Sequence, residues 1–327
     1  MREYFELVKP ACDFAGVVHE DATISVLNGR MEAQNGSLQV SQPVVGIEDF
    51  AAPAADIDYN LRKVGECTVS VGEQFVIMKS KLGTTRTKRV TNRLANFTKP
   101  DIETHPIDDL DDLMGAIDDV FPFTVGDPSK PWSQGARFDG KMITATNSIM
   151  LCRAELAQSC GFQGVTLSRA ALSYMRLRRD ALTRWGFGDR GLLLEFKDGA
   201  WALSPRLNVE MPDQAVKLID QAIPKDAWGL LADLDPAYRT ALLSAVDHTE
   251  SILMVFPDHV FGTRLSSDHR CNIETKLGAG VEKALFTAKD LTTVVSVANQ
   301  IGFDHYPRPV PFTTERGSKG LLAGRSA

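Results

Sequence analysis

Apolar and polar positions change period along this chain, and the changes mark out its elements. QGARFDGKMITATNSIML, from Gln134, alternates every two residues and breaks at Asp139-Gly140. That pair supplies the positive φ a tight hairpin turn needs. GVTLSRAALSYMRLRRDALTRWGF passes from a short strand into a helical period, with Ser168 at the N-cap of a helix that runs on toward Trp185. LLLEFKDGAWALSPRL returns to alternation and turns at Asp198-Gly199. The segment, which ends at Met211-Pro212-Asp213, therefore predicts hairpin, strand, helix and hairpin.

Similar series flank it. REYFELVKPACDFAG predicts a short helix interrupted by Pro10, and ATISVLNGRMEAQNGSLQVSQPV a hairpin turning at Asn28-Gly29. FAAPAADIDYNLRKV predicts a strand leading into a helix, and CTVSVGEQFVIMKSKL with TTRTKRV a meander. Residues 91–101 show no period and read as a linker. A second round opens with IDDLDDLMGAIDDVFPFT, where Leu110, Leu113, Met114, Ile117 and Phe121 give an amphipathic helix with an acidic outer face. A third starts near Lys225. It has a helix entered at Asp235-Pro236, alternating strands, the strand, Thr cap and helix of ALFTAKDLTTVVSVANQIGF, and a final hairpin near Gly317. The strand-to-helix junctions at Pro53-Ala54, Ser168 and Thr287 recur at nearly equal spacing, and Asn28-Gly29-Arg30-Met31 matches Asp139-Gly140-Lys141-Met142. An α+β chain of three repeats follows, with domains at 1–101, 102–224 and 225–327.

Composition narrows the class. A chain of 327 residues is long enough for two or three domains. Its apolar runs fall well short of the roughly 20 residues that span a bilayer, and the charges of MREYFELVKP stand where a signal peptide needs an apolar core. Five cysteines, odd in number and without a CxxC, imply a reducing compartment with neither a disulfide framework nor structural zinc. The expected location is cytoplasmic. Net charge is −6, but the signs are segregated. Residues 103–119 hold carboxylates and no Lys or Arg, whereas residues 79–99 hold Lys and Arg and no carboxylate, which permits local positive surface on an acidic molecule.

The order of elements, the threefold repeat, and the runs DGKMITATNSIML, GVTLSRAALSYM and LNVEMPD resemble the bacterial-type DNA polymerase III beta sliding clamp family. NGRMEAQNGSLQV and FAAPAADIDYNLRKVGECTVSVGEQFVIMKSKLG follow the same rhythm, and GLLAGRSA stands where the family's C-terminal strand and tail lie. The resemblance covers the whole chain without a single diagnostic motif. It implies three clamp domains, each of two helices packed on antiparallel sheets. It also implies a function without catalysis or cofactor: two chains close head to tail into a homodimeric ring that holds double-stranded DNA and tethers a DNA polymerase, with a clamp loader as a further partner. The chain departs from the family at Asn147-Ser148, where Asp-Gly is common, lacks the first strand and is shorter than usual. Such compactness suits a viral version acting in a host cytoplasm.

A ring that slides must present positive charge to phosphates without reading sequence. In a helix running past Leu177, Arg169, Arg176 and Arg184 share one arc, Arg179 extends it, and Arg178 faces the apolar half. The first repeat offers Arg62 and Lys63, the third Lys289 and Arg239. The acidic helix at 107–119 suits a DNA-facing role poorly, so its carboxylates are expected to face strand edges or solvent, or the ring to hold DNA loosely. The resemblance places a pocket for client peptides at Thr146, Leu151 and Pro212, with Leu321 and Leu322 nearby. Ile149 and Met150 replace polar family residues there, which alters client specificity. Two other classes compete. A clamp-fold scaffold would not encircle DNA. A metal-dependent enzyme would use the pairs Asp247-His248, Asp258-His259, Asp268-His269 and Asp304-His305, but adjacent strand residues face opposite sides, and no HxH, HxxxH, P-loop or GxSxG spacing occurs.

Overall fold

Turn chemistry sets the strand boundaries, and the elements then fall into a repeating order. The structure, a computed structural model, describes residues 1–14, 17–18, 21–90, 97–125, 129–207, 211–244, 251–255, 259–264, 270–274 and 283–325. α1 (Arg2–Val8) runs into a 3-10 turn where Pro10 enters. β1 (Thr23–Leu27) and β2 (Arg30–Asn35) are joined by Asn28-Gly29, with φ of 52° and 72°, a turn whose twist matches that of the strands. β3 (Leu38–Pro43) and β4 (Phe50–Pro53) lead to α2 (Ala54–Val64), then β5 (Thr68–Val71), β6 (Phe75–Ser80) and β7 (Gly83–Lys88). The second round is α3 (Leu110–Val120), β8 (Gly135–Asp139), β9 (Met142–Thr146), β10 (Met150–Glu155), β11 (Val165–Ser168), α4 (Arg169–Leu177), β12 (Leu182–Gly188), β13 (Gly191–Phe196) and β14 (Trp201–Ser204). α5 (Asp213–Ala222) follows. The third round is α6 (Pro236–Ser244), β15 (Ser251–Val255), β16 (His259–Arg264), β17 (Arg270–Glu274), β18 (Ala284–Thr287), α7 (Ala288–Val297), β19 (Ala298–Ile301), β20 (Val310–Thr314) and β21 (Lys319–Leu322). Two-residue strands aside, helix, four strands, helix and three strands recur three times. Among the described residues, α5 has no counterpart in the other rounds.

The chain forms two compact units, Met1–Asp108 with Ala170–Leu207 and Asp109–Arg169 with Asn208–Ala327. Neither is a contiguous third of the sequence, because each contains a sheet built from two rounds. In the first unit an eight-stranded sheet runs from His105–Pro106 through β12, β13, β14, β3, β2 and β1 to β4, and β14 pairs antiparallel with β3 through Trp201 opposite Ser41. A separate sheet holds β5, β6 and β7. α1 buries Phe5 and Val8, and α2 buries Ile57, Leu61 and Val64 on one face. Gly186 in β12 lies where a Cβ would overlap the Glu103 carbonyl, so only glycine lets residues 103–106 cross β12 this closely.

In the second unit the eight-stranded sheet runs from β11 through β8, β9, β10, β21, β20 and β19 to Ala232–Asp233. Its two rounds join at β10 and β21, with Leu151 opposite Leu321. A four-stranded sheet orders β17, β16, β15 and β18. α3 starts at Asp109, whose Oδ1 accepts the Asp112 N–H at 2.9 Å, and buries Leu113, Met114, Ile117 and Val120. Its acidic face is used internally. The Asp119 Oδ2 accepts from the Thr314 and Ser318 hydroxyls at 2.8 and 2.5 Å, and Asp112 accepts from the Ala157 N–H and from Arg316. These carboxylates hold the β20–β21 turn at Gly317, where φ is 87°. α6 begins as expected, with the Asp235 Oδ1 accepting the Ala237 N–H at 2.6 Å beside Pro236.

Two expectations are corrected. The basic helix ends at Leu177, so Arg179 lies in the following turn and Arg184 on β12, and the shared arc of Arg169, Arg176 and Arg184 does not form. Arg178 turns inward there, and Leu182, Trp185, Gly186, Phe187 and Gly188 are strand residues. α5 was not expected, although Pro212 at its N-cap, Asp213 in its first turn and Val216, Ile219 and Ile223 at helical spacing specify it. Of the linker, residues 91–96 lie outside the described residues. Phe97 and Ile102 pack on Leu193, Trp201 and Leu203. Because the Glu103 carbonyl yields only if the strand shifts, Gly186→Ala should lower stability by about 1–3 kcal/mol in urea unfolding, with an unchanged m-value.

Candidate functional site

The side chains expected to meet DNA differ in exposure and in the internal partners they hold. In the first unit, α2 presents Tyr59, Arg62 and Lys63 one turn apart. Arg62 is 67% exposed and pairs with Asp58 at 2.5 Å, while the Lys63 Nζ lies 4.1 Å from the centroid of the exposed Tyr59 ring. On α4, Arg176 is exposed and Arg179 half-buried, whereas Tyr174 and Met175 are buried. Arg178 is buried, donates to the Gln42 Oε1 at 2.7 Å and the Asp198 Oδ2 at 2.8 Å, and lies over the Phe196 ring. Burial works to raise the Asp198 carboxyl, but Gln42, the Ala200 N–H and Arg178 hold it below its ordinary value. Arg184 spends its charge on Thr104 and on the Glu195 carboxylate, 3.3 Å away.

In the second unit, the Arg169 Nη1 donates to the Phe121 carbonyl at 3.0 Å and the Thr124 hydroxyl at 2.6 Å, and the guanidinium stacks on Phe121. It fastens the end of β11 to the turn after α3. Arg239 donates to the Ala298 carbonyl at 2.6 Å. Lys289, in the first turn of α7, is exposed. Of the eight predicted cations, then, Arg169, Arg184 and Arg239 hold the fold together through the contacts described, Arg62, Lys63, Arg176 and Lys289 are exposed, and Arg179 is half-buried.

The residues expected to receive client peptides also lie in the second unit, and the structure brings most of them together. Thr146 and Leu151 face each other across β9 and β10, and Leu151 faces Leu321 across β10 and β21. Thr146, Leu151, Leu321 and Leu322 are all buried. The Thr146 hydroxyl donates to the Met150 carbonyl at 2.7 Å and accepts the Ser148 N–H at 3.0 Å, shaping the β9–β10 turn. Ser148 there has a φ of 79°. Pro212 is exposed at the N-cap of α5.

The chain itself covers this floor. Ile219 and Ile223 pack on Leu151 and Leu321, with Ala222, Ala227 and Trp228 against the same cluster. Two arginines from the sheet pin α5. Arg137 on β8 donates to Asp213 at 2.8 Å and to the Met211 carbonyl at 3.0 Å, and Arg153 on β10 forms a bidentate pair with Asp220 at 2.7 and 2.6 Å. The hydrogen bond from Arg153 holds the Asp220 carboxyl below its ordinary value. Burial of the two isoleucines contributes about 1.5–3 kcal/mol each. The pairs add under about 1 kcal/mol each, because Asp213 and Asp220 are 69% and 61% exposed. α5 is therefore lightly anchored on this face. Its role was missed in the sequence because MPD was read as the end of the repeat.

Among the described residues, no group of three or more His, Cys, Asp and Glu could hold a metal ion, and no helix is long and apolar enough to cross a membrane. Asp304 and His305 lie on a 3-10 turn. In the other pairs only His259 falls within the described residues, on β16. Burial pushes the Cys12 thiol up to about 12, which leaves it unreactive at neutral pH.

No protein-family model and no curated protein matches the sequence. Solved structures match it over its full length. The beta sliding clamp of Caulobacter crescentus, solved with a polyethylene glycol bound, is 14% identical with a TM-score of 0.72, covering 99% of this chain and 96% of that one. The DNA polymerase III beta subunit of Thermotoga maritima is 12% identical with a TM-score of 0.72, covering 100% and 97%. The beta clamp of Helicobacter pylori, solved bound to a DNA ligase peptide, is 10% identical with a TM-score of 0.65, covering 99% and 97%. The chain has the sliding-clamp fold.

Asp198 allows a pH test. A carboxyl held below the ordinary value of about 3.9 stabilises the fold fully above that pH, and its contribution is lost as pH falls through the folded-state value. Asp198→Asn should cost about 1 kcal/mol at pH 7. The difference in urea midpoint from the unmodified chain should close as the pH is lowered below 4.

Proposed function

We propose that this chain is a sliding clamp, a non-enzymatic processivity factor that encircles double-stranded DNA and tethers a DNA polymerase to it. The observation that carries this reading is an unfinished series of strand pairs. With domains at 1–101, 102–224 and 225–327, each domain has a four-stranded half ending at β3, β10 or β17, and a three-stranded half ending at β7, β14 or β21. Within the chain β3 pairs with β14 and β10 with β21, both antiparallel. Among the described residues, the series leaves β17 of the third domain and β7 of the first as edge strands. A second copy supplies the missing partner for each, β17 against β7, and two head-to-tail chains complete a ring of six domains.

The orientation of the β7 amides supports such pairing. The Arg89 N–H donates back to the Gln74 carbonyl at 2.9 Å, in register with the β6–β7 ladder. By strand alternation the amides of Thr84, Arg86 and Lys88 then point outward. Unpaired edges invite association, so a closed ring removes two hazards as it forms.

Within the ring, Arg62, Lys63, Arg176 and Lys289 would meet phosphates, with Arg179 beside them. Arg169, Arg184 and Arg239 act through the fold instead. So thin a set of cations suits DNA held by enclosure rather than by tight contact. It leaves the scaffold reading as the alternative if no ring forms. Client peptides from the polymerase and a clamp loader would dock at the Leu151–Leu321 floor; that such a fold takes up client peptides is supported by the DNA ligase peptide bound to the Helicobacter pylori clamp. The protein would work in a reducing cytoplasm, that of a host if its origin is viral.

Two measurements check this. Arg86→Pro removes an outward donor while sparing the β6–β7 ladder. Light scattering should give the mass of two chains for the unmodified protein and of one for the variant, and a monomeric unmodified protein would refute the ring. Replacing Lys63 and Arg176 with Ala should weaken duplex binding equally for all sequences and lower the slope of log K against log salt by about 2.

A further inference from the structure

We infer that α5 is a resident occupant of the docking floor, and that the site takes an acidic, amphipathic partner segment by displacing α5. The inference rests on the docking role proposed above for Leu151 and Leu321. α5 stands outside the threefold repeat among the described residues, so the fold's sheets do not require it. Its contacts are those of a ligand. An apolar pair four residues apart, Ile219 and Ile223, sits on the floor, and a carboxylate toward each end, Asp213 and Asp220, meets an arginine of the sheet.

Lifting α5 would leave an apolar floor edged by Arg137 and Arg153, with Lys319, which now lies over the Trp228 ring, beside them. The Arg137 Nε is already buried without a partner, so this guanidinium has unused donor capacity. An apolar floor with a cationic edge selects a segment with two apolar side chains on one helical turn and a flanking carboxylate. Leu218 is 41% exposed and Leu230 83% exposed. Both belong to the covering segment, which thus already shows apolar surface to a partner.

The test uses the full chain and a fluorescent peptide of its own residues 211–224, MPDQAVKLIDQAIP, as probe. By hydrogen exchange, α5 amides of the unmodified protein should exchange at least ~10-fold faster than those of β10 and β21, because α5 opens locally. The double variant Asp213→Ala with Asp220→Ala should bind the peptide at least ~5-fold more tightly than the unmodified chain does. Exchange of α5 at the rate of β10 would overturn the inference, since α5 would then be a fixed part of the unit. Equal, measurable binding to both proteins would also overturn it while sparing the docking role. Absence of binding to either protein, with α5 exchanging fast, would remove the docking role itself. A peptide with both aspartates changed to Asn that bound equally well would overturn the preference for acidic partners.

Discussion

Main-chain pairing between repeats is the constraint on which the rest depends. A four-stranded and a three-stranded sheet of this size each leave edges whose amides and carbonyls need partners. The pairs between β3 and β14 and between β10 and β21 satisfy them by merging halves from different rounds into sheets that, with a two-residue strand at one end, have eight strands. That is why the compact units cut across the sequence repeats. It also makes the merged strands buried ones: Val40, Ala202 and Leu203 at one junction, and Leu151, Cys152 and Leu321 at the other.

Charge is distributed to serve the same frame. The acidic stretch that looked like an obstacle to DNA binding is consumed in part by hydrogen bonds to the β20–β21 turn, with Asp119 on Thr314 and Ser318 and Asp112 on Arg316. Several arginines act likewise, Arg169 as a clip on Phe121 and Arg178 as a buried partner of Asp198. An arginine can bridge several acceptors through its planar fork while its stem packs on apolar surface, so a basic helix read from sequence is not yet a binding face.

Most of the fold was legible in the sequence because its elements announce themselves locally. Asn28-Gly29, Asp139-Gly140 and Gly317 mark turns by backbone geometry, Asp235-Pro236 marks a helix start, and alternation marks the strands between. What was not legible depended on long-range contacts. The end of α4 is set by where Arg178 finds Gln42 and Asp198, neither of which is near it in sequence. The helical period was therefore extended into β12, although Gly186 and Gly188 argued against a helix there. The candidate site was half legible. Thr146, Leu151 and Leu321 do come together, but their cover is α5, whose short apolar series was lost beside the stronger signals around it.

Sheet strands here are fixed twice, by ladder hydrogen bonds and by burial on the core, whereas α5 is fixed by one buried turn and two exposed ion pairs. Local stability follows the number and burial of such contacts, so this segment can leave without disturbing the pairing that holds the domains together. Paired main chain fixes the merged sheets, and α5 lies outside that pairing.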